Sequence, residues 1–92
     1  METRIALVGI IVENLEQVEE VNHILHDFGK FIIGRMGLPI RDQQMNIISI
    51  VVEADNNTIN SLSGKLGMLD GISAKTVYSK AGAPQNEDVL GL

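Results

Sequence analysis

The sequence predicts one α+β domain in which two helices cover one face of a four-stranded antiparallel sheet. Segments typical of strands and helices follow one another in the order βαββαβ. The first and third strand segments are apolar on both faces, whereas the second and fourth carry charges, as edge strands do. This is the ferredoxin-like arrangement. Because each crossover is right-handed, both helices must lie on the same face.

Strand one is predicted over residues 3–13 and strand three over about residues 45–54, since both are rich in Ile and Val. Side chains alternate between the two faces of a strand. On strand one, the two sets are Ile5, Leu7, Gly9 and Ile11, and Ala6, Val8, Ile10 and Val12. On strand three, we expect the uniformly apolar set to face the helices: Ile48, Ile50, Val52 and Ala54, opposite Ile47, Ser49, Val51 and Glu53.

The two helices are predicted from apolar residues at helical spacing and from their caps. Helix one covers about residues 15–28, with Asn14 as N-cap, Gln17 as its capping-box partner and Gly29 as the stop. Helix two follows the turn and N-cap residues 55–57 and ends near Gly67. A Gly inside a helix costs about 1 kcal/mol relative to Ala, so Gly64 predicts close packing or a contact at that position.

The edge strands are predicted over residues 30–38 and 72–79. Glycines and charges in the first of them suit an edge position. Pro39 and the polar residues 41–44 then predict a hairpin loop, and Asp70 with Gly71 predicts the turn before strand four. Residues 1–80 are therefore expected to form one domain, followed by a flexible tail over residues 81–92.

Composition excludes several classes of function. The 92 residues contain no Cys, so disulfides, thiolate metal sites and cysteine nucleophiles are ruled out, and a cytoplasmic location is expected. The net charge is −5, and acidic residues crowd helix one without Lys or Arg, so direct nucleic-acid binding is not expected. The N-terminus is unlike a signal peptide, and its apolar run of about eight residues is far below the roughly 20 that span a bilayer.

The second face of the sheet needs a cover that the two helices cannot supply. Several large aliphatic side chains exposed together would exceed the patch that monomers usually show. The sequence therefore predicts a homodimer or larger homo-oligomer, through the open face or through sheet edges. The tentative interface residues are Ile5, Leu7, Ile11, Ile47 and Val51. The alternative cover is the tail, through Val89, Leu90 and Leu92.

Four segments resemble one family. They are residues 4–13 (RIALVGIIVE), 21–26 (VNHILH), 34–39 (GRMGLP) and 62–67 (LSGKLG). In these segments, and over about residues 3–80, the chain resembles the iron-only hydrogenase system regulators, which are small ACT-like proteins. The resemblance implies an ACT-like ferredoxin fold, kinship with the C-terminal domain of the nickel-responsive regulator, and association with control or assembly of the hydrogenase. It also implies small-ligand binding at subunit interfaces.

The chain departs from these relatives at two points. Amino-acid-binding ACT domains usually have a Gly in the turn after strand one, whereas residues 12–15 (VENL) contain none. The square-planar site of the nickel regulator needs a Cys and strand-borne His, whereas here there is no Cys and both His residues fall on helix one. Neither binding mode transfers directly.

Two groups of residues are candidate binding sites. His23 and His26 could ligate Zn, Ni or Fe with carboxylates nearby or with a symmetry mate, although about 140° and 80° of rotation from Val18 places them on or beside the solvated face. Residues 34–37, which are Gly34, Arg35, Met36 and Gly37, could hold an anionic ligand at a sheet edge. The alternative there is edge protection and a strand bulge.

No residues suggest catalysis. Ser63, Gly64 and Lys65 lack the upstream Gly of a phosphate loop and fall inside a helix, so a nucleotide site is rejected. No cofactor is predicted, and an enzyme is not expected. Three functions remain open: a ligand-responsive regulatory module, a non-sensing interaction protein in hydrogenase maturation, and a metal carrier that uses His23 and His26. The expected partners are a second copy, a small-molecule effector, and a hydrogenase maturation or regulatory protein.

Overall fold

The structure is a computed structural model that describes residues 2–80. The predicted tail and the three apolar residues proposed as a lid lie outside the described residues. Six main elements follow one another in the order βαββαβ, as predicted. They are β1 (Arg4–Val12), α1 (Val18–Asp27), β2 (Ile32–Ile40), β3 (Met45–Ala54), α2 (Asn56–Gly67) and β4 (Ile72–Tyr78). Short 3₁₀ turns cover Leu15–Gln17, Gly29–Phe31 and Arg41–Gln43.

The four strands form one antiparallel sheet in the order β2-β3-β1-β4. The two strands that are apolar on both faces, β1 and β3, are therefore central, and the ferredoxin-like prediction is confirmed. Leu7 lies opposite Val51, and Ile10 lies opposite Ile48. Since paired residues share a face, this register determines which side chains meet the helices.

The core lies between the helices and one face of the sheet. Val8, Ile10 and Ile50 are fully buried there. The set of β3 that was predicted to face the helices does so, and on β1 the set opposite the tentative interface residues is the buried one. The core consists of Ala6, Val8, Ile10, Val12, Ile48, Ile50, Val52, Ala54 and Ile72 from the sheet, and Val21, Ile24, Leu25, Ile59, Leu62 and Leu66 from the helices.

The start and end of helix one differ from the prediction. The α-helix begins at Val18, because Leu15–Gln17 first form a 3₁₀ turn. Asn14 caps this turn, since its side-chain oxygen accepts from the Glu16 N–H at 3.1 Å. Gln17 closes the turn with its backbone N–H, which donates to the Asn14 carbonyl at 3.0 Å, instead of acting as a capping-box partner. Gly29 does not take the left-handed conformation of a helix stop, because it starts a second 3₁₀ turn.

Strand two begins and ends two residues later than predicted. It includes Pro39, which was expected in the loop, and an edge strand tolerates Pro because one of its sides has no ladder to donate to. A bulge between Ile32 and Gly34 takes Ile33 out of the pairing. The hairpin to β3 closes through Gln44, which has a left-handed φ of 52°.

Helix two matches its predicted bounds. The Asp55 side chain caps it by accepting from the Thr58 N–H at 3.2 Å. The prediction of close packing at Gly64 is wrong for the described chain, because a Cβ placed there would meet no atom within 4 Å. Gly71 does need to be Gly: its φ is +77°, and a Cβ would lie 2.6 Å from that of Asn14. Neither helix within residues 2–80 is long and apolar enough to cross a bilayer.

Candidate functional site: the open face of the sheet

The side of the sheet turned away from the helices, called the open face below, is formed by alternate residues of all four strands. The register assigns it Ile5, Leu7, Gly9 and Ile11 from β1; Met45, Ile47, Ser49, Val51 and Glu53 from β3; Gly34, Met36, Leu38 and Ile40 from β2; and Ser73, Lys75 and Val77 from β4. All five residues predicted for an oligomer interface lie here. Sequence reasoning missed the contributions of β2 and β4, whose faces only the register reveals.

Large apolar side chains are exposed across this face. Leu7 is 45% exposed and Ile11 40%, whereas Ile10 between them in the chain is fully buried. Strands about 4.8 Å apart with a rise of about 3.4 Å per residue give a flat area of roughly 19 Å by 24 Å, or about 450 Å². An apolar patch of a few hundred Å² is the largest that a typical monomer shows, and it is often functional.

The centre of the open face is a notch. Gly9 lies opposite Ser49, and these two small residues separate the larger side chains of Leu7 and Ile11. A Cβ added at Gly9 would meet nothing within 4 Å, so the chain's own packing does not require Gly there. Gly inside a strand weakens it and often marks the close approach of another backbone or a ligand. Within the described residues, the notch is left open.

Two charged residues lie on this face. Glu53 lies near the end of β3, and Lys75 lies on the edge strand β4, directly opposite Gly9. The residues that β1 and β2 contribute to this face are all uncharged, and such depletion of charge is typical of the core of a protein interface.

The four residues predicted as a ligand site do not share a face. Gly34 and Met36 lie on the open face, whereas Arg35 and Gly37 pair with Ile50 and Ile48 and so face the helix side. The guanidinium nitrogen Nη2 of Arg35 donates a hydrogen bond to Oδ1 of Asn22 on α1 at 2.8 Å.

Arg35 also borders a shallow cleft beside the edge of β2. Its volume is about 180 Å³, and its walls include Gly37, Pro39, Asn46 and Ile48. Guanidinium and amide donors next to an apolar wall suit a small carboxylate ligand with an apolar body. The sequence pointed to Arg35 and Gly37. Only the topology reveals that Asn22 bonds to Arg35 and that Asn46 lines the cleft.

The two histidines are on the outer side of α1. His23 Nε2 lies 3.6 Å from Asp27 Oδ2, and both side chains are mostly exposed. His26 is also exposed, and it does not line the groove that His23 borders. Within residues 2–80, no group of three or more His, Cys, Asp or Glu residues is arranged to hold a metal ion. A metal site at these histidines stays a prediction.

The fold and this face define a small ferredoxin-like α+β domain whose sheet is covered on one side only. Residues 4–76 match the TM1266-like family, described as "Iron-only hydrogenase system regulator, putative". The chain belongs to this family, and the resemblance seen in the four sequence segments is confirmed. None of the curated proteins matches the chain.

Two solved structures are similar to this one. The uncharacterized protein TM1266 from Thermotoga maritima is 41% identical, with a TM-score of 0.83, over 86% of this chain and all of that one. An unknown protein from Galdieria sulphuraria is 16% identical, with a TM-score of 0.58, over 90% of this chain and 49% of that one. At that identity, the second similarity shows the fold alone.

Proposed function

We propose that this protein is a regulatory module of an iron-only hydrogenase system that works as a homo-oligomer joined through its open face and responds to a small ligand. Family membership supports the link to the hydrogenase system. The apolar open face is the observation that carries the oligomer. Such a module would act through a partner, because its acidic charge does not suit direct nucleic-acid binding.

Burial of the open face provides the driving force for association. Burying one large aliphatic side chain is worth roughly 1.5–3 kcal/mol gross, and Leu7, Ile11 and Leu38 are each about half exposed in the single chain. Two such faces stacked together would remove roughly 900 Å² even if flat. Protruding side chains add to this buried area and bring it closer to about 1,200 Å², the lower end of the range for specific interfaces.

The cleft at Arg35 supports the ligand part of the proposal. Because side chains alternate along β2, Arg35 faces the cleft while its neighbours Met36 and Gly34 belong to the open face. A carboxylate bound to Arg35 would compete with Asn22 for the guanidinium and shift β2. The same strand would then transmit binding to the oligomer interface. Such coupling must be reciprocal, so oligomerisation would alter ligand affinity by the same factor.

The test compares two leucines of matched exposure by size-exclusion chromatography with light scattering. Leu7 on the open face is 45% exposed, and Leu15 at the start of the helical side is 46% exposed. We expect the wild type and Leu15→Glu to form a dimer or larger species, and Leu7→Glu to be monomeric, because a carboxylate would be desolvated in the interface. A monomeric wild type at about 100 μM would refute the oligomer.

The ligand is tested on the same samples by thermal shift with amino acids and other small carboxylates. A stabilisation present in Arg41→Ala but absent in Arg35→Ala would assign the ligand to the cleft. Divalent metals in the same screen test the carrier alternative: a shift that disappears in His23→Ala/His26→Ala would favour it. No shift with any ligand would leave the interaction-module alternative for the oligomer.

A further inference from the structure

A second surface lies on the outer side of the helical layer, away from the open face. It is a groove of about 430 Å³ between α1 and α2. Glu20, His23 and Asp27 line it from α1, and Lys65, Met68 and Leu69 line it from the end of α2 and the turn that follows. The stretch from Glu20 to Asp27 is about 10 Å long at 1.5 Å per residue, which matches two turns of a helix lying alongside.

The apolar part of the lining consists of Ile24, Leu69 and Met68, which is the most exposed large hydrophobic side chain of the described residues. Met68 is 85% exposed, and beside it Leu69 is half-buried against the core. Packing within the described chain does not hold the Met68 side chain in place. Methionine is flexible and polarisable, and it is over-used at surfaces that accept the apolar face of a partner helix.

The rim of the groove is acidic. Glu20 and Asp27 stand on one side, where Asp27 Oδ2 also lies 3.6 Å from His23 Nε2, and α1 contains no Lys or Arg. Lys65 is the one Lys or Arg among the residues that line the groove. An apolar floor with an acidic rim is complementary to a segment that has an apolar stripe flanked by Lys and Arg.

We propose that this groove binds a basic, amphipathic helical segment of another protein. An apolar side chain of the segment packs on Met68 and Leu69, and its Lys or Arg residues pair with Glu20 and Asp27. This goes beyond the proposed oligomer, and it does not depend on it, because the groove and the open face are on opposite layers of the molecule.

The charge around the groove favours a basic segment over the other candidate occupants. A second copy carries a net charge of −5, and residues 81–92 contain Glu87 and Asp88 with no basic residue, so both would bring like charges to the rim. Nucleic acids and anionic lipid surfaces are repelled for the same reason. A cationic protein segment is the class that the groove attracts.

The test uses a fluorescein-labelled amphipathic Lys/Leu helical peptide as probe, and the same peptide with Glu in place of Lys as control, followed by anisotropy. We expect binding of the Lys peptide only. The double reversal Glu20→Lys/Asp27→Lys should weaken it at least tenfold. The matched reversal Glu2→Lys/Asp42→Lys, which changes the net charge equally at exposed sites elsewhere, should change the affinity less than about twofold. Circular dichroism verifies that both variants are folded.

Binding at high salt and the site of the NMR shifts test the apolar contact and the location of the peptide. In about 0.5 M salt, where surface charges are screened, Met68→Ser should still weaken the remaining binding several-fold because the apolar contact is lost. Equal losses in both double reversals would show net-charge attraction without a site, and would overturn the proposal. Amide NMR shifts that map to the open face, or peptide binding that depends on the protein's oligomeric state, would do so as well.

Discussion

The two faces of this sheet are built from the same strands, yet only one is completed by the chain's own helices. On β1, Ile10 is fully buried under the helices, whereas its neighbour Ile11 on the other face is 40% exposed. Both are Ile in a central strand, so local sequence preference does not distinguish them. Such a strand has two apolar faces, and the described chain covers only the first of them.

The faces also differ in shape. The covered face presents large aliphatic residues along both central strands and ends in Ala only at their margins, at Ala6 and Ala54. On the same two strands, the open face has its small residues, Gly9 and Ser49, at the centre. A face that had only to shield itself from water would gain nothing from a central notch, whereas a docking partner can fill it.

The largest expected effect comes from truncating the same residue type on each face. Ile10→Ala should lower the free energy of unfolding by about 2–5 kcal/mol, because it leaves a cavity under the helices. Ile11→Ala should cost the dissociated chain under about 1 kcal/mol, since its side chain is already partly in water. Urea unfolding at low protein concentration measures both.

The two variants should also differ in how their loss of stability depends on protein concentration. If Ile11 packs against a second copy, the deficit of Ile11→Ala should grow at high concentration, where the wild type is assembled. The deficit of Ile10→Ala should stay nearly constant. A concentration-independent result for both variants would mean that the two faces differ only in burial.

A smaller effect is expected at the notch. Gly9→Val should raise the melting temperature of the dissociated chain, by the equivalent of about 1 kcal/mol, because Val suits a strand and its Cβ would meet no atom within 4 Å. It should weaken association, since the added side chain fills the notch. Gly64→Ala is the matched control: it should stabilise by about 1 kcal/mol and leave association unchanged. Stronger association of Gly9→Val would show that the notch is not a docking feature.

Which residues belong to which face could be predicted from the sequence on the central strands but not on the edges. Alternation leaves each central strand only two choices, and the right-handed crossovers place both helices on one face. On β3, the uniformly apolar set then indicates which residues meet the helices. On β2, a one-residue slip exchanges every side chain between faces. The bulge after Ile32 sets the register of β2 and therefore the face on which each side chain lies. No local sequence pattern predicts that Arg35 points towards Asn22.

The predicted start of helix one is wrong for a related reason. The caps at Asn14 and Asp55 are local, and both were found in the sequence. The 3₁₀ turn that delays α1 depends on how the chain leaves β1: the Glu13 N–H donates to the carbonyl of Gly71, which is far away in sequence. The Arg35 cleft and the groove between the helices likewise join distant segments, so the sequence could name some of their residues but not assemble the sites.

The smallest expected effect is the loss of stability in acid that comes from the Asp55 cap of α2, one of the two helices on the covered face. Hydrogen bonding from Thr58, first from its side chain and then from its backbone N–H, holds the pKa of Asp55 below its ordinary value of 3.8. The charged cap therefore stabilises α2 fully above the unfolded pKa, and this contribution is lost as the pH falls through the lower folded pKa. In Asp55→Asn the amide still caps but does not titrate. The melting temperature of the wild type should exceed that of Asp55→Asn slightly near pH 7, and the difference should shrink as the pH falls below 3.8 and through the lower folded pKa. A difference that does not change with pH over this range would mean that the charge of Asp55 does not stabilise the helix.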